Sequence, residues 1–345
     1  MGKKIIVFDM DGVLLRPLGY HRALKETVRL GAQALGFEGI TLSDAEIAQF
    51  EGLGISSEWH SSAACMALLA INGEFSLGPL FGFLKREPAQ NHARFRLEKA
   101  IQYIAQGAGV DPAQGISLIR NSQSPEQSLT LNLFQEMILG SDDFKRIYGK
   151  KGRLNVESYL LQFDQPLLGP DVSNRLLTWL KDPEHGSVVM TNRPSRGMPD
   201  AKYGLQLVGL KGFPLVGYGE IEWLAGELGV NTTTLAKPSP IHALAASLTA
   251  FSTDVDLSLR DAYASTNGEG AEEISCLEGS EIWVFEDTPA GLISMGEMER
   301  LLEGRGVSVG LNKIGIATTP HKSEYLKAQG ARIFKRVDIA LGEII

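Results

Sequence analysis

A chain of 345 residues with 43% hydrophobic content is long enough to bury a full core and to divide into two domains, and its composition gives no sign of disorder. Its net charge of -8 argues against nucleic acid as a substrate, because binding to a phosphate backbone calls for a basic surface. Cys65 and Cys276 have no paired spacing and read as small buried residues, no stretch reaches the roughly 20 apolar residues that span a bilayer, and Met-Gly-Lys-Lys runs into the first strand without a signal-type segment, so a cytoplasmic protein with no membrane attachment is expected.

The first apolar run, Ile5-Ile-Val-Phe8, reads as a strand buried on both faces, as at the centre of a parallel sheet. It delivers Asp9 and Asp11 to its far end, with Gly12 making the turn. On its own, Asp-x-Asp-Gly reads equally well as the start of a plain loop. Helical patterning follows until strand character returns at Ser187. Helices are expected over 21–35, after the capping-box spacing Ser43-Asp-Ala-Glu46, over 57–71, over 91–106, and from Ser124-Pro125 to a stop at Gly140.

Strand and helix then alternate. A helix is predicted over 172–180, strands over 187–191 and, weakly, 214–218, a helix over 241–248, and strands over 281–285 and 314–317. Such alternation specifies right-handed crossovers and an α/β fold with a doubly wound parallel sheet. The helical stretch reads as an all-α domain inserted into it, giving a core of residues 1–14 and 169–345 and an insert of 15–168. Residues 252–280, with Asn267-Gly-Glu-Gly270, are polar enough to read as an exposed excursion. Residues 297–306 add a charged helix. Either could serve a contact between copies of the chain, and self-association stays open.

Three later segments join Asp9-Met-Asp11. Ser187-Val-Val-Met-Thr-Asn192 is an apolar run ending in a hydroxyl residue, Leu235-Ala-Lys-Pro-Ser-Pro240 places a lysine at a helix start, and Glu281-Ile-Trp-Val-Phe-Glu-Asp-Thr-Pro-Ala-Gly291 is a strand ending in paired acids. In this order they resemble the haloacid dehalogenase superfamily of phosphohydrolases. Asp9 and Asp11 match its first motif, Thr191 the second, Lys237 the third and Glu286-Asp287 the fourth. The best matched stretches are residues 3–15 and 167–345, where Leu168-Gly-Pro170 looks like the start of the helix before the second motif. The resemblance implies a Rossmann-like core, a helical cap inserted after the first motif and here larger than usual, and a small phosphorylated metabolite as substrate.

Phosphoryl transfer needs an in-line nucleophile, charge neutralisation at the phosphoryl oxygens, and a proton for the leaving group. Asp9 would attack phosphorus to give an aspartyl-phosphate. Asp11, two residues on and so on the same side of an extended strand, would act as general acid and then general base. An ordinary Asp is mostly ionised at neutral pH, so that role needs a raised or substrate-coupled pKa. Thr191 and Asn192 would donate to phosphoryl oxygens and Lys237 would neutralise charge. The resemblance implies Mg2+ held by the Asp9 carboxylate, the Asp11 backbone carbonyl and Asp287. Glu286 would ligate or orient water, and Arg193 is a candidate for an extra phosphate contact.

Asp11 also separates reaction classes. Dehalogenase members lack a leaving-group acid there, and no lysine among Lys25, Lys85 and Lys99 stands out as the imine former of phosphonate-cleaving relatives. In Phe50-Glu-Gly-Leu-Gly-Ile-Ser-Ser-Glu-Trp-His60, Ser57 stands where the sugar phosphomutase pattern Lys-Gly-x-Ser-Arg has arginine, so a hydroxyl replaces the bidentate charge that would hold a distal phosphate. Hydrolysis of a phosphate monoester is the first expectation, with a phosphomutase or a non-catalytic phosphate- or protein-binding scaffold as alternatives. Gly52-x-Gly54 follows no strand and is no dinucleotide motif. Trp59 and His60 read as packing or surface residues, Asn231-Thr-Thr233 as an unused glycosylation signal, and His21, His92, His185, His242 and His321 as surface histidines.

Overall fold

The computed structural model describes residues 2–55, 57–87, 93–269 and 271–345. The expected helix start at Asn91, together with Ser56, His92 and Gly270, lies outside them, as does the side chain of His321. The chain divides into two compact units, Met1–Pro17 with Asp164–Ile345, and Leu18–Phe163.

The first unit holds strands β1 (Lys4–Phe8), β2 (Leu15–Arg16), β3 (Gln165–Pro166), β4 (His185–Met190), β5 (Leu215–Val216), β6 (Glu281–Glu286), β7 (Gly310–Ile316) and β8 (Arg332–Phe334). Six form one sheet in the order β5-β4-β1-β6-β7-β8, with every neighbouring pair parallel. This is the doubly wound α/β sheet that the alternating pattern predicts. Period-two alternation in β1 divides the core between two faces. Ile5 and Val7 pack with the helices Tyr218–Leu228, Pro240–Ser252, Val255–Thr266 and Pro289–Gly304, while Ile6 and Phe8 pack with Pro170–Trp179, Asp200–Leu207 and Val337–Leu341. β1, β4 and β5 build one half of the sheet and β6 to β8 the other, so β1 sits where the winding reverses. Ligands of such sheets bind beyond the strand carboxyl ends at that reversal.

β2 and β3 form a separate antiparallel ladder, Leu15 opposite Pro166 and Arg16 opposite Gln165. Leu167 N also donates to Leu14 O at 2.8 Å, tying the returning chain to the departing one.

Among its described residues the second unit holds helices joined by loops and no strand. Ser43 caps Asp44–Gly52 with the capping box that its spacing predicts, Glu46 accepting from Ser43 N at 2.8 Å. The helix expected from Ser124-Pro125 instead begins at Leu129. Ser128 supplies its N-cap, accepting from Leu131 N at 3.0 Å, and Gly140 ends it as predicted.

Two other expectations are corrected. Residues 252–280 are not an exposed excursion, because Asp254 caps a helix over Val255–Thr266 whose Leu259 and Ala262, with Ile274 and Leu277 beyond it, are buried in the core. Polar residues dominate the composition there, yet the apolar ones share one face. Residues 297–306 are mostly the tail of a single long helix, Pro289–Gly304, which begins just after Asp287. Asn231 caps a short 3-10 turn through its own side chain, accepting from Thr233 N at 3.0 Å.

Candidate active site

Register assembles the site. Phe8 lies opposite Val189 on β4 and Phe285 on β6, so the residues following all three strands emerge at one level. Asp9, Thr191 and Asp287 are therefore neighbours despite their separation in sequence. The chain after β1 turns back at once. Gly12 N donates to Leu15 O at 2.7 Å and Leu14 N to Met10 O at 2.9 Å. Gly12 has φ +78°, and a Cβ there would overlap the Asp287 carboxylate, so the turn needs glycine twice over.

Lys237 comes from the loop before the helix Pro240–Ser252. Its Nζ donates to Asp9 Oδ1 at 2.7 Å and to Glu286 Oε1 at 3.1 Å, with all three side chains almost fully buried. Burial opposes the ammonium charge, but Asp9 and Glu286 outweigh it and hold Lys237 above its usual value. Burial, then the Glu286 charge, pushes the Asp9 carboxyl well up, with Lys237 opposing. Asp287 is raised to about 6 by burial and then Glu286, against the pull of Lys322.

Glu286 is occupied by the protein itself. Its Oε2 accepts from Asp287 N at 2.8 Å and Thr288 N at 3.3 Å, and its Oε1 accepts from the Thr288 hydroxyl at 3.1 Å besides Lys237. It shapes the loop after β6 and anchors Lys237. Thr191 is buried, donates its N–H to Val216 O at 3.1 Å, and accepts from Arg193 N on its hydroxyl at 3.1 Å; Asn192 beside it is exposed. A cavity of about 400 Å³, within the usual range for small ligands, is lined by Asp9, Asp11, Thr191, Asn192, Lys237 and Asp287. Every motif residue thus faces one space.

Arg193 has a different place from the phosphate contact considered for it. Its guanidinium is buried and grips Asp11, Nε donating to Oδ1 at 3.0 Å and Oδ2 at 2.9 Å, and Nη2 to Oδ1 at 2.5 Å. Nη2 also donates to Asp164 Oδ2 at 2.7 Å, and the Asp164 carboxylate is fully buried. Lys322 pairs with Asp287. It stands in the first turn of a helix after a strand, the same kind of position that made Lys237 noticeable, and that is the signal that could have found it.

His242 corrects the expectation of a surface histidine. It is fully buried; Lys237 N donates to its Nδ1 at 3.3 Å and its Nε2 lies 3.0 Å from Val216 O. Those partners require the neutral ring protonated at Nε2. Burial, then the Lys237 charge, pushes its pKa down to about 3. The ring fixes the Lys237 loop against the end of β5. Cys65 is buried as expected, Cys276 is half-buried, and both are free thiols.

Among the described residues, Asp9, Glu286 and Asp287 offer carboxylate oxygens that all lie within 4.8 Å of one another. The donor set is oxygen only, which suits a hard divalent ion such as Mg2+. The upward shifts of Asp9 and Asp287 mark a crowding of negative charge that such an ion would relieve. The residues therefore fit that group.

No protein-family profile and no curated protein matches this chain. Solved structures do match it. A Northeast Structural Genomics Consortium target superposes with a TM-score of 0.64 at 18% identity, covering 99% of this chain and 97% of that one. Phosphatase Tt82 from Thermococcus thioreducens superposes with a TM-score of 0.50 at 14% identity, over 95% of this chain and 100% of that one. At these identities the likeness speaks to fold alone. The chain shares the overall fold of these two structures, built here on the six-stranded parallel sheet with helices on both faces. No helix among the described residues is long and apolar enough to cross a membrane.

Proposed function

We propose that the protein is a magnesium-dependent phosphohydrolase that cleaves a small organic phosphate monoester through an aspartyl-phosphate. The observation that carries this reading is the buried contact of Lys237 with Asp9, made at the sheet's winding reversal with Asp11 two residues further on. A carboxylate held by a buried ammonium at a strand end is positioned for attack in one direction, and Lys237 offsets the charge that the phosphate brings. The phosphatase named among the matching structures agrees with the reading.

In the first step the Asp9 carboxylate attacks phosphorus and the ester oxygen departs. Thr191 and Asn192 donate to the phosphoryl oxygens, and Lys237 stabilises the charge that builds there. Asp11 delivers the proton to the departing oxygen. Both of its carboxylate oxygens accept from Arg193 in the resting arrangement, so donation requires the carboxylate to turn away from the guanidinium, which Asp164 continues to hold, and to take up a proton from solvent before the ester oxygen leaves. Asp11 then takes a proton from the water that attacks the aspartyl-phosphate. Asp9, Asp287 and the Asp11 backbone carbonyl would hold Mg2+, with Lys322 leaving Asp287. When bound, the ion neutralises and orients the phosphoryl oxygens.

The test is a panel of sugar phosphates, phosphoglycolate and nucleotides assayed with magnesium for released phosphate. Hydrolysis of at least one member is expected, and Asp9→Asn abolishes it while circular dichroism reports an intact fold. An isomerised product without net release would replace the reading with a phosphomutase. Near-normal turnover by Asp9→Asn would remove Asp9 as nucleophile.

A further inference from the structure

A second cavity, also about 400 Å³, shares Gly12, Pro17 and Lys322 with the candidate active site and extends beyond the carboxyl ends of β7 and β8. Its polar lining is basic: Arg16, Lys322, Lys335 and Arg336 contribute to it, and no acid does. Leu167, Ile316 and Val337 supply an apolar wall.

The fold builds this collection from separate elements. β2 buries Leu15 and therefore turns the adjacent Arg16 outward. Ile316 of β7 lies opposite Phe334 of β8, and Ala317 N donates to Phe334 O at 2.9 Å, so Lys335 and Arg336 emerge beside Thr318. Arg336 is paired with Asp338 and Lys322 with Asp287. Arg16 and Lys335 have no ion pair among the described residues and are exposed, so their charges are available to a ligand. A patch of cations with no acid lining it, in a chain of net charge -8, concentrates positive potential beyond the carboxyl ends of β7 and β8.

We infer that this basic cavity is a subsite for a second oxyanion, phosphate or carboxylate, at the far end of a substrate whose scissile phosphate lies over Asp9. The inference rests on the phosphohydrolase reading and narrows its substrate to a molecule anionic at both ends. Arg16 offers a planar fork suited to an oxyanion, Lys335 a point charge, and Lys322 bridges the two cavities.

The test is calorimetric titration of the full-length Asp9→Asn protein, in magnesium, with two ladders of increasing chain length: alkanediol bisphosphates and the matching alkyl monophosphates. At the fitting length the bisphosphate should bind about tenfold or more tightly than its monophosphate. Arg16→Ala combined with Lys335→Ala should bring that ratio to about one, and Arg16→Ala with Lys335→Arg should restore part of it. Carboxyalkyl phosphates separate the sources: equal affinity assigns a general oxyanion subsite, and a preference for the bisphosphate assigns a phosphate subsite. A bisphosphate that binds no more tightly than its monophosphate at any length, or an advantage that survives the double substitution, overturns the inference. Phosphate release by the wild-type protein from the monophosphates is scored separately, so failure of hydrolysis and failure of the subsite are told apart.

Discussion

The helical unit and the sheet unit both bury charge, and they satisfy it by different means. In the helical unit, Arg96 is fully enclosed and donates to backbone carbonyls, Leu53 O at 2.5 Å and Leu84 O at 2.9 Å. Glu136, equally buried, accepts from Arg153 N at 2.6 Å, Leu154 N at 3.0 Å, and the Ser141 hydroxyl at 2.6 Å. Burial would raise the Glu136 carboxyl, yet these donors bring it below its usual value. At the sheet's carboxyl edge, Asp9, Glu286 and Asp287 crowd one another instead, and Asp9 and Asp287 are driven upward. A buried charge met by backbone dipoles staples loops together. Buried charges of one sign held side by side are a site prepared for a cation or a reaction.

The largest expected effect breaks the crowded side of this contrast without touching a charge. Gly12→Ala forces a Cβ into the Asp287 carboxylate at a positive φ, so turnover should fall at least about 100-fold, read by phosphate release. A rate within a few-fold of wild type would mean that the turn has slack.

On the stapled side, Glu136→Ala leaves the amides of residues 153–155 without their acceptor and should cost about 3 kcal/mol in denaturant unfolding, with the rate per folded molecule unchanged. The sign with pH is definite. Because the folded carboxyl lies below the usual 4.5, its contribution is present above that pH and is lost as pH falls below it. An equal cost at low pH would assign the loss to packing.

His242 joins the two behaviours, since one buried group serves both a strand end and the Lys237 loop. Its folded value of about 3 lies under the usual 6.5, so its stabilisation is complete above pH 6.5 and is lost as the medium acidifies toward pH 3. His242→Gln should flatten that acid limb, measured as melting temperature against pH. The smallest effect is the control: Arg300→Ala, which removes an exposed pair with Glu297, should change stability by no more than about 0.5 kcal/mol.

The motif residues were legible because each sits just past a strand or at a helix start, positions that local patterning reveals. Asp9, Thr191, Lys237 and Asp287 all line one cavity, as their order along the chain implied. What was hidden depends on pairing across the chain. Nothing local links Arg193 to Asp11 or Asp164, whereas the burial of His242 had a local signal, since its helix is apolar on nearly every side and such helices sit inside. The stretch over 252–280 misled by composition, where polar residues outnumber the few apolar ones that anchor its helix. Ser124-Pro125 misled by resembling a helix start when the better cap stood four residues on, at Ser128.

The ladder of β2 and β3 carries one more consequence. Because the outgoing and incoming chains are zipped together there, residues 18–163 leave and rejoin the sheet unit through a single doorway, and their removal or exchange would sever none of the six-stranded hydrogen-bond network. That module can thus be exchanged within the chain while the strands that carry Asp9, Thr191 and Asp287 keep their pairing.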